Sequence, residues 1–142
     1  MVAALPSGTA TLYVGTDPNS AKSLFPYFRI TPNNPRSATV RGYLLEGQGF
    51  DFTIGQATGG EIFVPNDSAR ARAREERFFQ VCEAVFASSF TEYLTCSRRG
   101  RVIRSRIVLK LESGSIHLGG HQLFWWAALG KTNKCLHYEP YY

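Results

Sequence analysis

Pro18, Pro26, Pro32 and Pro35 interrupt the chain between Asp17 and Pro35 and leave no room there for a helix. Proline has no amide donor and its ring clashes with the preceding helical turn, which costs a helix interior about 3 kcal/mol or more. The pieces between the breaks are short and rich in β-formers. Thr9 to Thr16 (T-A-T-L-Y-V-G-T) reads as a strand that stops at the turn cluster Asp17-Pro18-Asn19-Ser20. Tyr27 to Thr31 reads as a second strand, closed by Pro32-Asn33-Asn34-Pro35. Ala38 to Leu45 and Phe50 to Ile54 follow, and Gly59-Gly60 leads into Glu61 to Val64. Short strands separated by turn chemistry predict an antiparallel meander.

The pattern then changes period. Pro65-Asn66-Asp67-Ser68 supplies a strand stop and candidate helix caps. Phe79, Cys82, Phe86, Phe90 and Tyr93 recur at spacings of three and four, and Val85 and Leu94 widen the stripe. This spacing predicts one long helix over about residues 67–97, ended by Gly100. Beyond it, Ile103, Ile107, Leu109 and Leu111 share one strand parity while Arg104, Arg106 and Lys110 share the other. Ser115 to Leu118 and Gln122 to Leu129 read as two further strands turning at Gly119-Gly120. Lys131 to Tyr142 reads as a polar turn and an aromatic tail. The expectation is an α+β fold in a single domain over 1–142: a curved antiparallel sheet packed against one long helix, with strands before and after it.

Charge points to a class of partner. Nine of the twelve arginines fall between Arg70 and Arg106, and Tyr93 to Leu111 holds no carboxylate. The formal net charge is +5. A local excess of one sign repels itself unless water, ions or a polyanion screens it. Arg70, Arg74 and Arg77 share a helix face, and in the first turns they oppose the positive end of the helix dipole. Arg98, Arg99 and Arg101 flank a glycine turn, and Arg104, Arg106 and Lys110 continue along one strand face as a ridge able to track phosphates. Tyr27 with Arg29, and Arg41 with Tyr43, repeat an aromatic beside a cation at alternate strand positions. Exposed aromatics that stack on bases while cations hold phosphates are how sheet surfaces bind single strands. The favoured expectation is therefore non-enzymatic binding of RNA or single-stranded DNA. Arg98, Arg99, Arg101, Arg104, Arg106 and Lys110 are the main contacts; Arg41, Tyr27 and Tyr43 are secondary ones.

Leu12-Tyr13-Val14-Gly15-Thr16 resembles the first-strand motif of RNA-recognition-motif domains, and Arg41-Gly42-Tyr43 is similar to the opening of their second motif. The resemblance implies Tyr13 and Tyr43 as base-stacking positions. It stops at Leu44, where glycine or alanine is expected, and at Glu46, where an apolar residue is expected. The four prolines between the motifs exclude that family's first helix. The family is not assigned.

Two other classes compete. Trp125, Trp126 and the tail from Tyr138 to Tyr142 form an aromatic-rich region, which suits a homo-oligomer or a structural subunit of a larger assembly such as a ribonucleoprotein or viral particle. Asp51, Glu61, Glu83 and His121 would suffice for acid–base catalysis if they met in a pocket. Cys82 lies on the apolar stripe and reads as core. His117, His121, Cys135 and His137 have the membership of a zinc site, yet Gly119-Gly120 breaks any helix that would converge them. No cofactor or metal is expected. No apolar run has membrane-spanning length, Met1 to Pro6 lacks a secretory pattern, and three cysteines form an odd, sparse set. The expected location is intracellular, cytoplasmic or nuclear.

Overall fold

A computed structural model describes residues 6–20, 24–45, 49–63, 68–111, 114–121 and 130–142. It is α+β, and the described residues form two antiparallel sheets and a single helix. Strands β1 (Ala10–Gly15), β2 (Tyr27–Pro32), β3 (Val40–Leu45), β4 (Gly49–Ile54) and β5 (Thr58–Phe63) form a five-stranded meander in sequence order. After helix α1 (Ser68–Ala87) come β6 (Phe90–Cys96), β7 (Val102–Leu111), β8 (Gly114–His121) and β9 (Thr132–Tyr138). These make a second sheet in the order β8-β7-β6-β9. The meander expected from the turn clusters is present. Antiparallel β2 stands between β1 and β3, where the RNA-recognition motif has a helix.

Alternation sets the faces of the first sheet. Tyr27, Arg29, Arg41, Tyr43, Asp51 and Thr53 lie on one face by register, and Phe28, Val40, Phe52 and Ile54 lie buried on the other. β5 starts at Thr58, three residues before the expected strand, and so includes Gly59 and Gly60. A side chain at Gly60 would come within 2.8 Å of the Phe52 ring, so the glycine makes room for a core aromatic.

The helix is shorter than its periodicity predicts. Its first half, including Arg70, Arg72, Arg74 and Arg77, is exposed, and no acidic residue stands in its first turn. Its second half buries Phe78, Val81, Cys82, Val85 and Phe86. Phe78 stacks on Phe50 at 4.3 Å between ring centres and meets Phe28 and Phe52 edge-on. The helix stops at Ala87 because its last carbonyls find other donors. Ser88 Oγ donates to the Ala84 carbonyl, and the Tyr141 amide donates to the Phe86 carbonyl at 2.8 Å. Residues 90–96, expected in the helix, form β6 and pair on both sides, with β7 and with β9.

One hydrophobic cluster takes residues from both sheets and the helix, among them Val40, Ile54, Val85, Ile107, Leu109 and Ile116. The C-terminal segment is not a free tail. Tyr141 is 5% exposed, its ring lies 4.6 Å from that of Phe86, and its hydroxyl donates to the Ala38 carbonyl. Arg36 and Glu139 form an ion pair at 3.0 Å, and Ser37 Oγ donates to the Pro140 carbonyl at 2.8 Å. The chain end therefore ties the β2–β3 loop to the second sheet. The predicted strand over residues 122–129 lies outside the described residues.

Candidate functional site

The outer face of the second sheet is built from its four strands, β8-β7-β6-β9. The β6–β7 hairpin turns through Ser97 to Arg101, where the Gly100 amide donates to the Ser97 carbonyl at 2.8 Å and Ser97 N donates to the Arg101 carbonyl at 2.8 Å. Gly100 has a φ of 77°, a left-handed conformation that glycine adopts without steric cost. This turn presents Arg98, Arg99 and Arg101 to solvent. Along β7, Ser105, Ile107 and Leu109 are buried while Arg104, Arg106 and Lys110 are exposed, the parity the sequence implies.

Tyr93 joins this face although its spacing assigned it to a helix stripe. It is the cross-strand partner of Arg106 and is 45% exposed. The Arg106 guanidinium carbon lies 5.2 Å from the centre of the Tyr93 ring. A cation over an exposed aromatic contributes about 0.5–1 kcal/mol. Tyr93, Thr95, Arg104 and Arg106 line a shallow recess of about 200 Å³. The register places Thr91, Thr95, His117, Asn133, Cys135 and His137 on the same face, and none of its described residues carries a carboxylate. Among the described residues, Arg104, Arg106 and Lys110 enter no ion pair. Among its described residues the face is thus cationic, part-aromatic and without a carboxylate.

The secondary contacts expected at Tyr27, Arg41 and Tyr43 lie on the first sheet, so the structure divides the predicted site in two. Tyr27 is 5% exposed, its ring set between those of Tyr13 at 6.3 Å and Tyr43 at 5.7 Å. A ring so covered offers no face to a base. Tyr43 is half-buried, and its hydroxyl donates to Asp17 Oδ2. The Asn19 amide donates to Asp17 Oδ1 at 2.9 Å. The hydrogen bond from Tyr43, reinforced by the Asn19 amide, holds the Asp17 carboxyl below its usual value. The same hydrogen bond, with some burial, pushes the Tyr43 phenol up to about 12. Arg41 Nη2 donates to the Gln56 carbonyl at 3.2 Å. Together with Asn19, Asp51 and Thr53, these residues line a polar cavity of about 300 Å³.

Glu92, which the helical spacing places in the predicted helix, is a buried acidic residue that joins the sheets. It is 0% exposed and accepts five hydrogen bonds: from the amides of Gln56, Ala57 and Thr58, from Thr58 Oγ1 and from the Tyr138 hydroxyl. Burial, then the neighbouring Glu92 carboxylate, raises the Tyr138 phenol well above its usual value. Consecutive backbone donors from a turn form a concavity for an anion, and here the anion is the protein's own. A carboxylate enclosed in this way fastens the β4–β5 turn to β6; it meets no solvent and no substrate.

Among the described residues, no His, Cys, Asp or Glu cluster could hold a metal ion. Asp51 lies on β4 with Glu61 as its cross-strand partner on β5, Glu83 lies at an exposed position of the helix, and His121 ends β8 opposite Arg104. His117 and His121 belong to β8, whereas Cys135 and His137 belong to β9, at the opposite edge of the sheet. Three inter-strand spacings of about 4.8 Å separate those edges, far beyond what one tetrahedral ion spans. Cys82 is core, its thiol raised to about 12 by burial. Of the aromatics expected to meet a protein partner, Tyr138 and Tyr141 are engaged within the chain, Tyr142 is 64% exposed, and Trp125 and Trp126 lie outside the described residues. Among the described residues, no helix is long and apolar enough to cross a membrane. No protein-family model, curated protein or solved structure matches the chain.

Proposed function

We propose that the chain binds single-stranded nucleic acid, RNA or DNA, on the outer face of its second sheet. The observation that carries this reading is the exposed Tyr93–Arg106 pair on a face whose described residues hold no carboxylate. Tyr93 stacks against a base, and Arg104, Arg106 and Lys110 take phosphates along β7. Residues on one side of a strand recur about every 6.6–6.8 Å, so these cations form a row that follows an extended backbone. Arg98, Arg99 and Arg101 continue the row around the hairpin. Binding of this type is non-enzymatic and tolerant of sequence, because every base has a face to stack and every nucleotide a phosphate.

Fluorescence anisotropy with a labelled single-stranded oligonucleotide tests the reading. Tyr93→Leu removes one stacking contact and should weaken binding about tenfold, within the usual range for base–aromatic stacking. Arg104→Gln with Arg106→Gln should weaken it at least as much. Unchanged affinity in both variants rejects the reading.

A second reading, an interaction subunit, has its own support in β1. This edge strand exposes Leu12 (64%) and Val14 (58%), and the neighbouring loop exposes Leu24 (95%). Apolar edge strands are templates for pairing with another chain. Light scattering should then find an oligomer that Leu12→Lys disperses; a monomer at every concentration excludes self-association.

A further inference from the structure

We propose that the cavity on the outer face of the first sheet binds a small zwitterion, with an ammonium group and a carboxylate, of the size of a free α-amino acid. The inference uses a different sheet from the nucleic-acid reading and does not depend on it. Antiparallel register sets the lining: Tyr43 is opposite Asp51, and Arg41 is opposite Thr53. Arg41 and Asp51 are therefore diagonal neighbours, a pair type about 7–8 Å apart with the Cβ atoms somewhat closer, near enough for an arginine to reach an aspartate. They nevertheless form no ion pair. Arg41 is held toward the β4–β5 turn by its bond to the Gln56 carbonyl, and the Asp51 carboxylate has no hydrogen-bond partner among the described residues. The unlike charges of Arg41 and Asp51 thus face one recess of about 300 Å³ without a direct ion pair between them.

The remaining lining narrows the ligand class. Asp17 is fixed by Tyr43 and Asn19, so it is a second, oriented negative group in the wall. Two carboxylates and one guanidinium give the lining a formal charge of −1 (Asp17 and Asp51 against Arg41), which repels phosphodiesters and simple carboxylates. A simple amine supplies no negative group to the Arg41 guanidinium. A zwitterion satisfies both, its carboxylate accepting from Arg41 and its ammonium donating to Asp51, in the charge-assisted bonds that are the stronger kind. The half-buried ring of Tyr43 supplies an apolar wall beside it. The volume is at the small end of ligand sites and matches a guest of amino-acid size.

The test is a titration of the ¹⁵N-labelled protein with each free L-α-amino acid, followed by amide spectra. At least one is expected to give saturable shifts confined to the Arg41–Tyr43 and Asp51–Thr53 backbone. Its N-acetyl and carboxamide derivatives, which each remove one charge, should bind about tenfold more weakly or worse. Asp51→Asn should abolish the penalty for N-acetylation, and Arg41→Gln the penalty for amidation. Since the derivatives are tested on the unaltered protein, the outcome does not depend on how the variants fold. No saturable shift with any amino acid, or equal binding of the parent and both derivatives, overturns the proposal.

Discussion

Thr58 and Glu92 meet between the two sheets, with Thr58 Oγ1 2.8 Å from Glu92 Oε1 and neither residue exposed to solvent (0% each). One belongs to the last strand of the first sheet and the other to a central strand of the second. Their contact, with the three amides and the Tyr138 hydroxyl around it, replaces the water that a carboxylate would otherwise keep. Glu92→Gln places an amide NH₂ among hydrogen-bond donors and leaves buried groups unsatisfied. The expected loss of stability is about 3 kcal/mol or more. Tyr138→Phe removes one donor and should cost about 1–2 kcal/mol. Urea unfolding measures both, and a Glu92→Gln variant within about 0.5 kcal/mol of wild type, the usual size of a neutral surface change, contradicts this role.

Gly55 and Gly100 separate backbone strain from collision. Both adopt left-handed φ, 67° and 77°. A Cβ at Gly55 would lie 2.6 Å from Glu92 Oε2 and 2.7 Å from the Tyr138 hydroxyl, whereas one at Gly100 meets nothing within 4 Å. Gly100→Ala should therefore cost only the conformational penalty of about 1–2 kcal/mol. Gly55→Ala should cost clearly more, because it also pushes apart the Glu92 site. Equal losses in thermal unfolding would mean the turn does not depend on that carboxylate.

The part of the fold written in turn chemistry was legible from the sequence. The proline and asparagine clusters mark the ends of β1 and β2, and the parity of Ile107 and Leu109 against Arg104 and Arg106 gives the faces of β7. The end of the helix was not legible, because Phe90 and Tyr93 continue a three-and-four spacing while also fitting a period of two. On β6 the inward positions are Phe90, Glu92 and Leu94. A glutamate on the core face hides the alternation that would otherwise reveal a strand, and tertiary donors from the β4–β5 turn, β5 and β9 make that burial possible. The run Thr91, Tyr93 and Thr95, following Ser88-Ser89, was the available signal. β9 was missed for the converse reason. It is an edge strand whose Asn133, Lys134 and Cys135 are all exposed, so it has little apolar pattern to read. The arginine ridge was legible at β7 and the hairpin, but its aromatic partner depended on β6.

The Asp17–Tyr43 pair predicts a pH dependence at both ends. Tyr43 is raised to about 12 from a usual value of 10.0, so its neutral form is favoured by folding. That stabilisation is complete below the usual value and is lost as pH rises through the higher folded value. Asp17 is lowered from 3.8, so its contribution is present above that value and is lost as pH falls through the depressed one. Burial also raises Tyr138 and Tyr141. Phenolate absorbance should show a late-ionising group that Tyr43→Phe removes, and carboxyl resonances of that variant should place Asp17 nearer its usual value. No change in either titration contradicts the pairing.

We propose that the row from Arg98 to Lys110 holds a phosphate backbone. The slope of log affinity for single-stranded oligonucleotide against log salt concentration tests it most directly, since each neutralised phosphate adds about −0.7 to that slope. Replacing Arg98, Arg99, Arg101 and Arg104 together with glutamine should weaken binding and flatten the slope by about 0.7 for each arginine engaged. Wild-type affinity and slope in the quadruple variant at every salt concentration, or no binding by the wild-type chain even at low salt, would contradict the assignment.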